Sequence, residues 1–441
     1  MMPTDLIEAE RIDRFLASQR RTGILLTRPY PTVGAPKVRS RLGGLPTLPT
    51  RVAWPRGRSY ERDVPMHFLA QIDCAELPHV DPRLPAAGML FFFAVFDEEQ
   101  IWSAKNPRES ISVIYESDVP RHLPPTPAPD DLLPLLDAEA SDNPFEPAWL
   151  LPGEAGPSVH HSWPLIALPC DTWPDVGHDP NLPFQDHDLY QAKIEALRVG
   201  SVVAAAGLPT RSDPPAWETE IDQPLLLPGS NQFERLEFPQ IGLMIDRIAR
   251  LIARYFRVAL DELPGGAIHA KRWIHRASAI GLHQAPSERE KEEFRSWLLQ
   301  LTTDPLLPPH FRMAWPRLLT DGLAAAVACV GGSDAADAIP RHFYDALENL
   351  HLPFDQERRW SQAHLGWWRI RARNHQMLGH VPMIQSIPPG ADDDTVCLLR
   401  LATDYGIEMR FGDAGNATFW IEGADLEQRR FDRCYASVEG G

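Results

Sequence analysis

The sequence predicts an α+β protein in which two related β-rich halves form a twisted, partly barrel-like sheet system, with a helical insertion between them. Three observations carry this expectation. Aromatic, strand-like segments cluster at the two ends of the 441-residue chain, before residue 120 and after residue 394. Over 188–374 the apolar residues recur instead at three- and four-residue spacing, the period of a helix face. The ends also share a plan. "FLAQID…GMLFFF" and "CLLRLATD…ATFWI" each give an alternating strand that ends in an acid, then a turn, then an aromatic strand. On this reading residues 1–187 are an N-terminal half with proline-rich loops, 188–374 the helical insertion, and 375–441 a C-terminal part that completes the sheet system.

The elements follow in order. Asp5 and Glu8 form a capping box for a helix through about Leu16. "GILLTRPYP" is a short strand and turn. The stretch "SRLGGLPTLPTRVAWP" (40–55) is no helix, because Pro46 and Pro49 each remove a backbone donor and clash with the preceding turn. "MHFLAQIDCAELP" (66–78) alternates up to Asp73 and reads as a strand. "GMLFFFAVFD" (88–97) is so continuously apolar that both of its faces should be buried. "ISVIYES" (111–117) alternates again, and 118–183 is turn-rich.

From Asp188 the pattern is helical up to Gly207. "FPQIGLMIDRIARLIARYFRV" is the best amphipathic helix of the chain, and Ser287 with Glu290 caps another. Further helices are expected around 320–330, 340–350 and 356–372, and strands at 395–404, 407–411 and 417–421.

Composition narrows the function classes. A formal charge of −17 argues against nucleic acid as partner, since phosphate binding needs a basic face. It favours basic partners at long range. No stretch approaches the length of a membrane span, and the N-terminal segment has no apolar signal core, so a cytoplasmic protein without a membrane partner is expected. Proline, at 44 residues, is about twice its usual share and lies within well-hydrophobic sequence, which points to many rigid connections. The five cysteines, Cys74, Cys170, Cys329, Cys397 and Cys434, are far apart and odd in number. They are expected to be reduced and free of metal.

Several segments resemble the YwqG-like family. They are "SRLGGLPTLPTRVAWP", "MHFLAQIDCAELP" and "LPAAGMLFFFAVFDE" near the start, then "HQMLGHVPMIQS" (375–386) and "FGDAGNATFWIEGADLEQRRFD" (411–432) near the end. The family pattern has Trp where this chain has Phe411 and often Tyr where it has His380, and its spacer is shorter than 188–374. The resemblance implies an α+β fold with two related β-rich halves. It also implies kinship with programmed-cell-death-protein-2 relatives, which assist newly made proteins, and an occasional setting beside toxin systems. It implies no reaction.

Candidate sites follow from rigidity and chemistry. Gly43 and Gly44 permit unusual backbone conformations, Pro46 and Pro49 fix an extended path, and Trp54 before Pro55 is held out of the α region. Such a ribbon either lines a groove for an extended peptide or covers the sheet edge. In "GDAG" (412–415), Gly412 and Gly415 are expected at positive φ, and Asp413 either bonds nearby amides or contacts a ligand. With Gln71, Asp73 and Trp420 these residues form the expected polypeptide-binding set, with Trp54 and Trp420 as apolar walls.

His160, His161, His178 and His187, beside Cys170, Asp175, Asp179, Asp186 and Asp188, are the candidates for a metal, but they show no established ligand spacing. His375 and His380 are expected to flank a helix end capped by Gly379. No nucleophile motif, Walker loop or dinucleotide fingerprint is present, so no cofactor is expected. A non-catalytic binding protein for a polypeptide, chaperone-like or toxin-neutralising, is therefore the leading expectation. A metal-dependent hydrolase using 159–188 is the alternative. Thiol titration of the denatured chain under inert gas is expected to count five; a count of three or one would mean disulfides.

Overall fold

The structure, a computed structural model, describes residues 3–28, 38–60, 62–97, 102, 107–135, 151, 156–174, 182–206, 239, 241–256, 258–282, 284–312, 314–315, 375–384, 394–404, 407, 409–412 and 415–440. The expected helices at 320–330, 340–350 and 356–372 lie outside them, as do Asp413, His178 and Cys329.

Two open antiparallel sheets carry the fold, and neither closes into a barrel. In the five-stranded sheet the order is β7 (Ile111–Glu116), β6 (Met89–Ala94), β5 (His67–Asp73), β2 (Arg41–Leu42), β8 (Trp163–Pro164). In the six-stranded sheet it is β13 (Tyr435–Glu439), β12 (Asn416–Glu422), β11 (Thr395–Ala402), β10 (His375–Met377), β1 (Arg21–Thr27), β9 (Ile166–Thr172). The C-terminal strands thus pair with the first strand of the chain, in the register Ile24 to Met377 and Leu26 to His375. A separate hairpin joins β3 (Arg56–Ser59) to β4 (Arg62–Pro65).

The alternation of β6 explains its wholly apolar sequence. Leu90, Phe92 and Ala94 point into the main core, while Met89, Phe91 and Phe93 join a second cluster on the opposite face. That second face is covered by the proline-rich ribbon, through Leu48, Val52 and Trp54. On the inner side Phe92 meets Phe419 of β12 edge to face, with ring centroids 5.3 Å apart. Helices α4 (Gly242–Tyr255), α5 (His269–Ile280) and α6 (Glu288–Thr303) bury their apolar faces in the same core, with Trp273 5.0 Å from Phe294. In α4 the buried Met244, Ile245, Ile248 and Ile252 keep the three- and four-residue spacing of one face. The expected box caps α6, with Glu290 N–H donating to Ser287 Oγ and Ser287 N–H to Glu290 Oε2. The first helix, α1 (Pro3–Gln19), packs with α3 (His187–Ala206) through Ile12, Leu16, Phe184 and Tyr190; the single turn α2 (Pro107–Ser110) leads into β7.

The internal duplication is visible in the ladders. Phe68 pairs with Phe93 and Ala70 with Phe92, so Leu69 is an extra residue in β5. Cys397 pairs with Trp420 and Leu399 with Phe419, so Leu398 is the extra residue in β11. The strand beside each bulge then turns through two consecutive left-handed residues. These are Gly43 and Gly44 (φ 56° and 70°) after β2, and Leu378 and Gly379 (φ 58° and 66°) after β10. Gly43 N–H donates to Leu69 O and Leu378 N–H to Cys397 O, each at 2.8 Å.

Several expectations are corrected. His375–Met377 is a strand, not a helix end, because its backbone groups complete the sheet between β1 and β11. The segment at 407–411 forms only an isolated bridge, Met409 to Asp404, instead of a strand. The turn-rich stretch 118–183 contains β8 and β9. Gly412 has the expected positive φ of 49°, but Gly415 does not; a Cβ there would overlap the carbonyl oxygen of Glu439.

Gly43 has both constraints, since a Cβ there would overlap the carbonyl of His161. Gly43→Ala is therefore expected to lose about 2 kcal/mol or more in urea unfolding, from left-handed strain and the forced shift together. An unchanged midpoint would refute the close approach. Truncation after residue 374 removes four strands of the six-stranded sheet, leaving β1 and β9, and is expected to abolish cooperative unfolding.

Candidate functional site

Residues 39–55 are held by a buried polar frame. Gln71, 1% exposed, accepts at Oε1 from the N–H of Thr47 (3.1 Å) and donates from Nε2 to Arg39 O (2.8 Å). Asp73 accepts from Arg39 Nη1 at 3.1 Å and from the Ala75 N–H at 3.0 Å, while Ser40 Oγ takes the Asp73 N–H. Gly44 N–H donates to His160 O, and Pro46 O accepts from the Thr126 N–H. Pro49 O accepts from the Val52 N–H. Gln71, Asp73, Gly43, Gly44, Pro46 and Pro49 thus shape the ribbon from within.

Trp54 lies at the end of this ribbon, half-buried. Its Nε1–H donates to Met66 O at 2.8 Å, and its ring meets Phe93 edge to face at 5.4 Å. Trp420 belongs to a different cluster, with Val381 and Cys397 on the six-stranded sheet. The two tryptophans therefore do not wall one groove, because each packs against its own sheet. Gly412 and Gly415 pack beside Glu439 and Gly440.

A cleft of about 570 Å³ does open beside Trp54. One wall is Trp54, Pro55 and Arg56, and the other is Arg429, Phe431 and Asp432. Between them run five consecutive residues of β7, Ile111 to Tyr115. A cleft on the face of a strand would meet alternate residues; five in a row mean that it follows the strand's edge. Among the described residues β7 is the outermost strand of its sheet.

The ladder also fixes which backbone groups face the cleft. Val95 N–H donates to Ser110 O at 2.7 Å, so that opposed pair is a hydrogen-bonded one. Alternation along the antiparallel register then turns the Ser112 and Ile114 backbone groups toward β6, and those of Ile111, Val113 and Tyr115 outward. These residues and Arg429 escape a motif search. The alternation of "ISVIYES" marks a strand, but its place at a sheet edge is a property of the fold.

A second polar cluster is enclosed. Asp404 Oδ2 receives Arg28 Nε at 2.5 Å and His375 Nε2 at 3.1 Å, and all three side chains are at most 2% exposed. Ala402 N–H donates to His375 Nδ1 (3.3 Å), which leaves the ring proton on Nε2 to donate to Asp404. Arg28 also lies over the ring of Trp163, 4.1 Å from its centroid. Burial pushes the His375 pKa below its ordinary range, against the opposing pull of Asp404. This His–Asp pair is closed to solvent, with both side chains at most 1% exposed.

The histidines proposed for a metal are dispersed. His160 is buried with its ring 5.0 Å from Phe96 and 6.4 Å from His67. His161 is exposed, and its N–H donates to Ile407 O. His187 begins α3 against Phe184, 6.0 Å away. No group of three His, Cys, Asp or Glu that could hold a metal occurs among the described residues. Cys74, Cys170, Cys397 and Cys434 are free and buried, and burial pushes the first three thiols up to about 12. Among the described residues no helix is long and apolar enough to cross a membrane.

Burial is also the leading cause at His67 and His380, whose pKa values are lowered, to about 4 for His380. Below the unfolded-state histidine range, near 6.5, the unfolded chain therefore binds more protons than the folded one. The contribution of these rings is full above that range and is lost as pH falls toward 4. The urea midpoint is expected to be lower at about pH 5 than at pH 7.5. His380→Gln, which keeps a donor for Gln19 O, should flatten that dependence. A midpoint that rises toward pH 5 would contradict this account.

A family profile described as a domain of unknown function, DUF1963, matches residues 40–194 and 289–439, and the chain belongs to this family. Its two matched regions agree with the two related halves seen in the sheets. No curated protein matches the chain.

Proposed function

We propose that this member of the DUF1963 family is a non-catalytic binding protein that receives an extended polypeptide segment at the free edge of β7. The single observation that carries the reading is the cleft that follows five consecutive residues of an outermost strand. Main-chain bonds from Ile111, Val113 and Tyr115 supply affinity in such an arrangement, and the walls select side chains. Trp54 contributes a large apolar surface already fixed by its bonds to Met66 and Phe93, so little side-chain order is lost on binding.

Within the family, the segments at 40–55, 375–386 and 411–432 support a YwqG-like placement. Kinship with chaperone-like or toxin-neutralising proteins is then the corresponding biological reading. Capture of a strand-forming segment at a sheet edge serves either role without a catalytic group.

The test is selection of peptides from a random display library on the intact chain, followed by two variants. Val113→Pro removes an outward N–H, and Ser112→Lys places at the edge the kind of charge with which natural sheets block pairing. Selected peptides are expected to bind wild type and to lose at least about tenfold with either variant, while circular dichroism shows both variants folded. Failure to select any binder, or equal binding by a folded Ser112→Lys, would overturn the reading. Because Val113 is also buried in the core, Ser112→Lys carries the decision if Val113→Pro unfolds.

A further inference from the structure

Three observations single out Arg429. It is a non-glycine residue in the left-handed region, with φ 58°. It directs its guanidinium over the ring of Tyr115, 5.9 Å from the centroid, at the wall of the β7 cleft. And it pairs with no carboxylate among the described residues, although acids outnumber lysines and arginines by 60 to 43 in this chain. Its neighbours behave differently: Arg430 pairs with Asp425, and Arg56 across the cleft with Asp63 and Asp131. The left-handed backbone closes the short helix Gly423–Glu427, with Arg429 N–H on Leu426 O and Arg430 N–H on Asp425 O, and this cap sets at the cleft wall a cation without a carboxylate partner among the described residues.

We propose, resting on the edge-binding reading above, that the segment received by β7 carries an acidic side chain, Asp or Glu, which pairs with Arg429. Charge complementarity selects this occupant. The guanidinium is exposed beside the aromatic floor of Tyr115 and Phe431, 5.4 Å apart, where an incoming carboxylate can reach it and form a charge-assisted bond. The overall charge of −17 works in the other direction at long range, and slows the approach of a strongly acidic peptide. The fitting partner is therefore a strand-forming segment with one acid placed at Arg429 and little further negative charge. Arg51, which pairs with Glu116 at the far end of β7, is already neutralised and does not compete.

The experiment measures fluorescence anisotropy of a labelled peptide of about eight alternating Val and Thr residues with one central Glu, beside its Gln and Lys counterparts. Wild type is expected to prefer the Glu peptide over the Gln peptide by about tenfold. Arg429→Gln should abolish that preference, and Arg429→Glu should transfer it to the Lys peptide. Arg429→Gly relieves the left-handed strain, so it should raise the melting temperature while losing the preference, a combination that a purely structural arginine would not give. If all three peptides bind wild type equally and Ser112→Lys abolishes binding, the Arg429 assignment fails and the edge reading stands. If none binds, both fail.

Discussion

The buried contact of Asp404 with Arg28 and His375 is the constraint on which the two-sheet arrangement depends. Arg28 follows β1, His375 lies in β10 and Asp404 follows β11, so one carboxylate ties together three neighbouring strands of the six-stranded sheet. The same guanidinium lies on Trp163 of β8, in the other sheet. An ion cluster this deep gains little over an apolar replacement of similar shape, but loss of one partner strands a charge at a cost of about 3–5 kcal/mol. Its effect is therefore specificity of assembly. The apolar packing between the sheets, in which Phe92 meets Phe419 edge to face, tolerates sliding, whereas Arg28 over Trp163 with its Nε on Asp404 fixes one register between them.

The duplicated halves share their strand order from the outermost strand inward, and the candidate site lies at that shared outer end in one of them. Strands β7, β6, β5 and β2 correspond to β13, β12, β11 and β10, with bulges at Leu69 and Leu398 and paired left-handed turns at Gly43 and Leu378. Gln71 faces Arg41 in one half, and Arg400 faces Gln376 in the other, so the same two residue types have exchanged strands. In the six-stranded sheet the order continues through β1 to β9, which α3 packs against. In the five-stranded sheet β7 borders an open cleft. An unpaired strand edge is a standing hazard for aggregation. Among the described residues no strand pairs with this edge of β7, beside Trp54 and Arg429, which is consistent with its being used.

Much of the fold was legible because both periods are strong where the core is thickest. β5, β6, β7, β11 and β12 follow from alternation and continuous apolar runs, and α4 and α6 from helical spacing and the Ser287 box. β9 escapes because Pro164 and Pro169 look like breakers, yet Pro169 sits opposite Ile24 within an intact ladder. β10 has three residues, too few to display any period, and its two left-handed successors imitate a helix cap. Of the site, the rigidity of the ribbon was legible and its purpose was not: Leu48 and Trp54 cover a sheet face that local sequence cannot reveal as needing cover. Arg429 was hidden for a related reason. Positive φ is read from glycine or asparagine, and an arginine that takes this place after the helix Gly423–Glu427 lacks the residue type that marks such a cap.

The ribbon's structural role and its place at the cleft are one argument. A wall that helps bind an extended segment must not itself be ordered by binding, because each immobilised side chain subtracts from affinity. Trp54 meets that condition through its bond to Met66 O and its contact with Phe93. Gln71 meets it one layer deeper, holding Thr47 and Arg39 from beneath. The prolines and glycines that make 40–55 unfit for helix or strand are what allow a non-repetitive segment to be this rigid. Pro46 and Pro49 limit the unfolded alternatives, and Gly43 and Gly44 let the backbone approach residues 160–162 more closely than any side chain permits. The covering of β6 and the wall beside β7 therefore arise from the same contacts, and a change that loosens Trp54 acts on stability and on the cleft together.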